Sequence, residues 1–119
     1  MAYEIPGFVL GVLLAGDDLS AAQYRAVVGT AGDEVGLCGA GLQPLGFLNN
    51  APAEGEVCEI VTSGVAKCKC DDVVAEFGQV EVGASGGVDT LASGFSVGMA
   101  LEAGVANQVI SVRLGDYGK

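Results

Sequence analysis

The stretch Val57-Cys58-Glu59-Ile60-Val61-Thr62-Ser63-Gly64-Val65-Ala66-Lys67-Cys68-Lys69-Cys70 decides the fold class. Valine, isoleucine and threonine branch at Cβ and suit a pleated strand better than a helix. Two such runs, residues 57–62 and 65–70, flank Thr62-Ser63-Gly64, which has the composition of a three-residue hairpin loop with Gly64 in the left-handed position. That loop sets Val61 opposite Val65, Ile60 opposite Ala66, Glu59 opposite Lys67 and Cys58 opposite Cys68. The register yields an apolar face and an exposed ion pair together, as a half-buried sheet requires. A two-residue loop would pair Glu59 with Cys68 and Ile60 with Lys67, so the first register is expected.

Outward from this stretch the same grammar recurs. Apolar or alternating runs at 8–14, 24–28, 34–38, 45–49, 73–75, 80–82, 96–101 and 108–114 are separated by Gly, Asp, Asn and Pro. A spacing of about 8–12 residues is that of small sandwiches and barrels. Thr30-Ala31-Gly32-Asp33 reads as a hairpin tip and Glu76-Phe77-Gly78-Gln79 as a second turn. The acid of Asp18-Leu19-Ser20-Ala21-Ala22-Gln23 can cap a single helical turn, and Asp89-Thr90-Leu91-Ala92 can make another. No window carries the period of a longer amphipathic helix. A faint repeat at an offset of 52 residues aligns Leu45-Gly46-Phe47-Leu48 with Val97-Gly98-Met99-Ala100, and Val57-Cys58-Glu59-Ile60 with Val109-Ile110-Ser111-Val112. Each half then reads as strand, turn, strand. The expected fold is all-β: one domain over 1–119, a small β-barrel of short hairpins with at most one or two helical turns.

Composition narrows the function. The chain has 119 residues, half of them hydrophobic, yet only 6% are aromatic and none is tryptophan, so the core must be Val, Leu, Ile and Ala. Fifteen acids against five bases give a formal charge of −10. Nucleic-acid binding rests on neutralising phosphates, so no nucleic-acid partner is expected, and an anionic membrane surface is disfavoured for the same reason. A basic or polar protein is the natural complement.

Catalysis has little to work with. Histidine is absent, which removes the commonest general base near neutral pH. No glycine loop ends in the Lys-Ser/Thr of a phosphate cradle. The acid pairs Asp17/Asp18, Asp33/Glu34, Glu54/Glu56 and Asp71/Asp72 match no calcium-loop spacing and read as solvated turns. We therefore expect no enzyme activity and no cofactor. Cys38, Cys58, Cys68 and Cys70 are unevenly spaced, and Cys68-Lys69-Cys70 is C-x-C rather than the C-x-x-C of zinc ribbons. Three readings stand: buried thiols acting as small hydrophobes, a cross-strand Cys58–Cys68 disulfide, and a metal or redox site.

The N-terminal residues carry the binding expectation. Ala2, Tyr3, Glu4, Ile5, Pro6, Gly7, Phe8 and Val9 hold one charge among eight residues. They could add an edge strand to a partner, with backbone hydrogen bonds giving affinity, or simply cover the chain's own core. The apolar run 8–15 lacks the basic flank of a signal peptide and is too short to span a bilayer, so it is read as a strand or docking arm of a protein made in a cytoplasm.

Three ordered segments resemble one family. Asp18-Leu19-Ser20-Ala21-Ala22-Gln23-Tyr24-Arg25 is similar to the "DLS-x-x-QYR" start of tailed-phage capsid cement, or head-decoration, proteins. Leu45-Gly46-Phe47-Leu48-Asn49-Asn50-Ala51-Pro52-Ala53-Glu54-Gly55-Glu56 resembles that family's "G-V-L-Q-N-x-P-A-x-G-E" turn, followed by a strand and Ser63-Gly64-Val65-Ala66-Lys67. Gly98-Met99-Ala100-Leu101-Glu102-Ala103-Gly104, then Val109-Ile110-Ser111-Val112-Arg113-Leu114, is similar to the closing "G-x-A-L-E-A-G…I-x-V-x-L". The four cysteines and the short 70–78 segment depart from the pattern. The resemblance implies a β-barrel or β-tulip-like core over 11–119 with a capsid-binding arm over 1–10. It implies a virion protein on the outer surface of the phage head, a homotrimer that ties major capsid (coat) proteins together. The alternatives are a β-rich protein-binding adaptor or carrier domain, and a small cysteine-based metal or redox protein. A lipoyl-type carrier needs a modifiable lysine at a hairpin tip, whereas Lys67 and Lys69 lie in a predicted strand.

Overall fold

Short β-branched runs cut by glycine cannot present a helical stripe, so their backbone groups find partners between strands instead. The computed structural model describes residues 5–118. Ten strands form: β1 (Ile5–Leu10), β2 (Leu14–Ala15), β3 (Ala26–Ala31), β4 (Glu34–Leu37), β5 (Gly46–Leu48), β6 (Ile60–Lys69), β7 (Gln79–Val82), β8 (Val88–Thr90), β9 (Ser96–Ala100) and β10 (Val109–Gly118). The fold is all-β, with no helix among the described residues. The sheet runs β2-β4-β3-β5-β6-β10-β9-β7-β8, with β1 laid separately on β6.

The stretch that opened the sequence reading is one strand, not a hairpin. β6 passes straight through Ser63 and Gly64. Gly64 does adopt the left-handed conformation, with φ of 84°, but the strand continues through it rather than reversing. The cause is that each edge of β6 is claimed from elsewhere. β1 pairs antiparallel along one edge, from Ile5↔Val65 to Leu10↔Ile60. On the other edge β5 pairs at Val61 and Ile60, and β10 continues from Leu114↔Gly64 to Val109↔Lys69. The expected Glu59–Lys67 and Cys58–Cys68 oppositions therefore do not exist. Cys58 lies before the start of β6 and Cys68 near its end, in separate cores, and both thiols are free.

Other expectations fare better. The Gly32-Asp33 tip joins β3 to β4, with Ala31 opposite Glu34. The Glu76-Phe77 turn closes through Gly78 N donating to Ala75 O at 3.1 Å. Asp18 accepts from the Ser20 amide at 3.0 Å, but two successive hydrogen-bonded turns follow, Ala22 N to Leu19 O and Arg25 N to Ala22 O, and no helix. Asp89 and Thr90 belong to β8 and not to a helical turn. Residues 73–75 contribute only an isolated bridge, Val74↔Gly104.

Two cores result, one on each face of the middle strands. Neighbouring residues of one strand feed different cores: Phe47 and Val61 the first, Leu48 and Ile60 the second. The first core also holds Ala66, Cys68, Cys70, Val80, Val82, Val88, Val97, Ala100, Ile110 and Val112. A parallel bridge between Cys70 and Val88 returns β8 to the end of β6, so β6, β10, β9, β7 and β8 close around it as a small barrel. The second core gathers Ala15, Leu19, Ala22, Val27, Val35 and Cys58, with Leu10 and Leu13 packed against it.

Inside the barrel, two segments 30 residues apart make the same backbone hydrogen bonds with each other. Cys70 N donates to Gln108 O at 2.8 Å and Ala100 N to Gly78 O at 2.9 Å. Asn107 N donates to Cys70 O and Phe77 N to Ala100 O, both at 2.8 Å. Gln79↔Met99 of β7–β9 matches Val109↔Lys69 of β10–β6. Val74 and Gly104 exchange bonds of 3.0 and 3.1 Å at the centre of this pseudo-two-fold. The symmetry breaks at β8, which sits between Cys70 and β7, whereas β10 pairs directly with β9.

Candidate functional site

From Ile5 to Gly16 the chain carries no charged residue. This segment lies along β6 as β1 and continues past it to β2. Two register shifts, around Phe8, interrupt the β1–β6 ladder. Gly7 fits because the strands approach closely: a Cβ there would lie 2.7 Å from Ser63 Oγ. Thr62 Oγ1 donates to Phe8 O at 3.3 Å. Further on, Cys58 N donates to Leu13 O at 2.8 Å and Ala15 N to Glu56 O at 2.9 Å. The segment is thus anchored by Leu10 and Leu13 inward and by backbone bonds along its length.

Its outward side is apolar. Phe8 is 57% exposed, Val9 41% and Val12 72%. Val57, half exposed, lies across the chain from Leu14. Among the described residues β1 pairs only with β6, leaving its other edge without a strand partner. An apolar edge with free backbone groups is a template for another strand. Pro6 and the two register shifts interrupt it, which limits runaway pairing without covering Phe8. The other edge strands differ: β2 has two residues, and β8 has three, one of them Asp89.

Of the residues read as an arm, Ile5, Pro6, Gly7, Phe8 and Val9 fall in β1, paired with the chain's own sheet. Ala2, Tyr3 and Glu4 lie outside the described residues. The exposed apolar edge continues past Val9 to Val12, within the 8–15 run that the sequence offers as a strand or docking arm. The usable signal is the run of twelve uncharged residues in a chain of such high charge.

A second exposed apolar group lies at the pseudo-two-fold. Val73 lies opposite Val105 across the Val74↔Gly104 bridge, 61% and 56% exposed, and Phe77 in the turn that follows is 63% exposed. Asp72, Glu76 and Glu102 flank them in sequence. Here the backbone is already paired, so this surface offers side chains alone.

The cysteines do not assemble a site. All four are buried and free; Cys58 sits in the second core and the other three in the first. Burial pushes the Cys38 and Cys58 thiols up. Burial, joined by the carboxylates of Asp71, Glu102 and Asp89, pushes Cys70 up to about 11. A raised thiol is poorly nucleophilic and a poor metal ligand. Among the described residues no three Cys, Asp or Glu side chains cluster as a metal site requires.

The acids instead act as backbone clasps. Asp71 accepts from Ser85 N at 2.7 Å, Gly87 N at 3.1 Å and Arg25 Nη1 at 3.3 Å. Glu81 accepts from Ala92 N at 2.8 Å and Gly94 N at 2.9 Å. Each fixes a glycine-rich loop that has no secondary structure of its own. No protein-family model matches the chain, and no curated protein matches its sequence.

Proposed function

We propose that the chain is a structural virion protein, a decoration (cement) protein that binds the outer surface of a tailed-phage head through β1 and stabilises the coat lattice as a homotrimer. The observation that carries the binding half of this reading is the uncharged edge of β1, with Phe8, Val9 and Val12 exposed beside unpaired backbone. An acidic body bearing one apolar edge suits a partner that offers a strand and a basic or polar surround. The resemblance of the 18–25, 45–56 and 98–114 segments to head-decoration proteins supplies the identity of that partner. Binding at many lattice points does not require a strong single contact, because trimers raise effective concentration.

The test is light scattering on the purified chain, followed by mixing with expanded and unexpanded heads of the encoding phage. Co-sedimentation with expanded heads is expected. Phe8→Lys, exposed and outside both cores, should weaken it at least tenfold while leaving thermal unfolding within a few degrees of wild type. A monomeric wild-type chain that ignores both head forms overturns the reading.

A further inference from the structure

A cavity of about 320 Å³ opens where the 20–24 turn meets the ends of β6 and β10. That volume is at the lower end of small-ligand pockets. Its walls include Ser20, Gln23, Tyr24, Lys69, Asn107 and Val109, with no carboxylate among them. In a chain with five bases, one ammonium group lines this space. Lys69 lines the cavity, and Lys67 Nζ stands 5.9 Å from the centre of the Tyr24 ring.

The wall is built, not incidental. Lys69 N donates to Tyr24 O at 2.9 Å, and Asn107 N to Cys70 O at 2.8 Å, so three separate segments are locked together around the space. Tyr24 and Asn107 both hold left-handed backbone, with φ of 69° and 72°. Gln23 Nε2 is engaged by Asn49 O at 3.0 Å. Asp18, the acid next to the cavity, is tied to the amide of Ser20. The Lys69 ammonium, the Tyr24 hydroxyl and the Asn107 amide have no hydrogen-bond partner among the described residues. They are three donors with one full positive charge.

We propose that this cavity binds a carboxylate, with Lys69 supplying the charge and Tyr24 and Asn107 supplying neutral donors. A charge-assisted bond from an ammonium is the strong contact of such a set. One lysine and two neutral donors match a monoanionic group. A dianionic phosphate would demand more cationic partners and would suffer the repulsion of a chain at −10 twice over. A second cavity, about 450 Å³, makes the contrast: Asp17 and Asp18 line it, and no base does. The pseudo-two-fold gives another control. It carries Lys69, Asn107 and Val109 onto Met99, Phe77 and Gln79, so the same frame lacks the cation in the other half.

The carboxylate can belong to a small monocarboxylic acid or to an acidic side chain of a bound polypeptide. Titration of the ¹⁵N-labelled full chain with propionate, and separately with a capped Gly-Glu-Gly peptide, distinguishes them, with sodium chloride matched for ionic strength. Saturable amide shifts at Tyr24, Lys69 and Asn107 in the millimolar range are expected from at least one probe. Saturation with propionate alone assigns a small molecule; saturation with the peptide assigns a polypeptide. Lys69→Met should weaken binding about tenfold or more, Lys69→Arg should restore most of it, and Tyr24→Phe and Asn107→Gly should each cost about threefold. Asn107→Gly keeps the left-handed turn, so its loss reads the amide and not the fold. Shifts that follow chloride alone, Lys69→Met binding like wild type, or tighter binding of inorganic phosphate than of either probe would overturn the assignment.

Discussion

The two halves of the barrel, residues 68–82 and 98–112, share a backbone and several buried apolar positions but almost no residue identity. Val82 and Val112 are the sole identical pair in the 30-residue alignment. Yet the turns, the crossed hydrogen bonds and the strand registers repeat. What recurs is a set of amide–carbonyl contacts, with apolar side chains at Cys70/Ala100, Val80/Ile110 and Val82/Val112 buried in the same core. What differs is the side chain at each equivalent point: Cys68 against Gly98, Cys70 against Ala100, Asp71 against Leu101, Phe77 against Asn107. The comparison separates what the fold demands from what each half does with it, and exchanging residues across the axis tests that separation.

The largest effect is expected at the first of these pairs. A Cβ built on Gly98 would collide with the Arg113 carbonyl oxygen, and its φ of 153° disfavours any other residue. Its counterpart Cys68 buries a whole side chain. Gly98→Ala should therefore cost on the order of 3–5 kcal/mol in urea unfolding, whereas Cys68→Ala should cost about 1–2 kcal/mol. Equal costs would show that the two strands are not held alike.

Next comes the clasp. Asp71 closes the 83–87 loop that lets β8 enter the barrel, and Leu101 has no such duty. Asp71→Asn keeps the shape but leaves the 15%-exposed Arg25 side chain facing a neutral amide. It should cost about 2–3 kcal/mol, against less than about 1 kcal/mol for Leu101→Asn. The third pair separates by pH. An unfolded thiol ionises near 9.0, while folded Cys70 holds its proton to about 11. Between these values the native state keeps a proton that the unfolded chain has shed, so stability is full below 9.0 and falls as pH rises through the window. Wild type should lose about 1 kcal/mol more than Cys70→Ala by pH 10, and the two curves should run parallel at neutral pH. Parallel curves throughout would remove the burial argument for this thiol.

The same comparison explains what the sequence could tell. The strand class followed from β-branching and glycine spacing, both local. The Gly32-Asp33 tip and the Glu76-Phe77 turn followed from turn chemistry, also local. The course of β6 did not. Thr62-Ser63-Gly64 has hairpin composition, and only the arrival of β1, β5 and β10 from distant parts of the chain makes it the interior of one strand. The 30-residue relation was illegible for the reason that makes it robust, since backbone bonds leave no residue signature. The apolar edge of β1 was partly legible through its missing charges. The cavity at Lys69 was not, because its walls come from segments near 20, 69 and 107 that no spacing rule connects.

The smallest effect is also the one that bears most on why the halves differ. Phe77 and Asn107 hold the same left-handed turn position, with φ of 63° and 72°. Asparagine tolerates that region, and a bulky aromatic does not. Phe77 is 63% exposed, so it recovers little by burial. Phe77→Asn should then stabilise the chain by about 0.5–1 kcal/mol, a rise of a few degrees in Tm, and Asn107→Phe should destabilise it by a similar amount. Strain kept where a milder residue would serve is usually tied to what the side chain touches. If Phe77→Asn instead lowers stability, the ring is packing more than its exposure indicates, and it is structural. If stability rises as expected, the ring is held in the open at a cost the fold does not require.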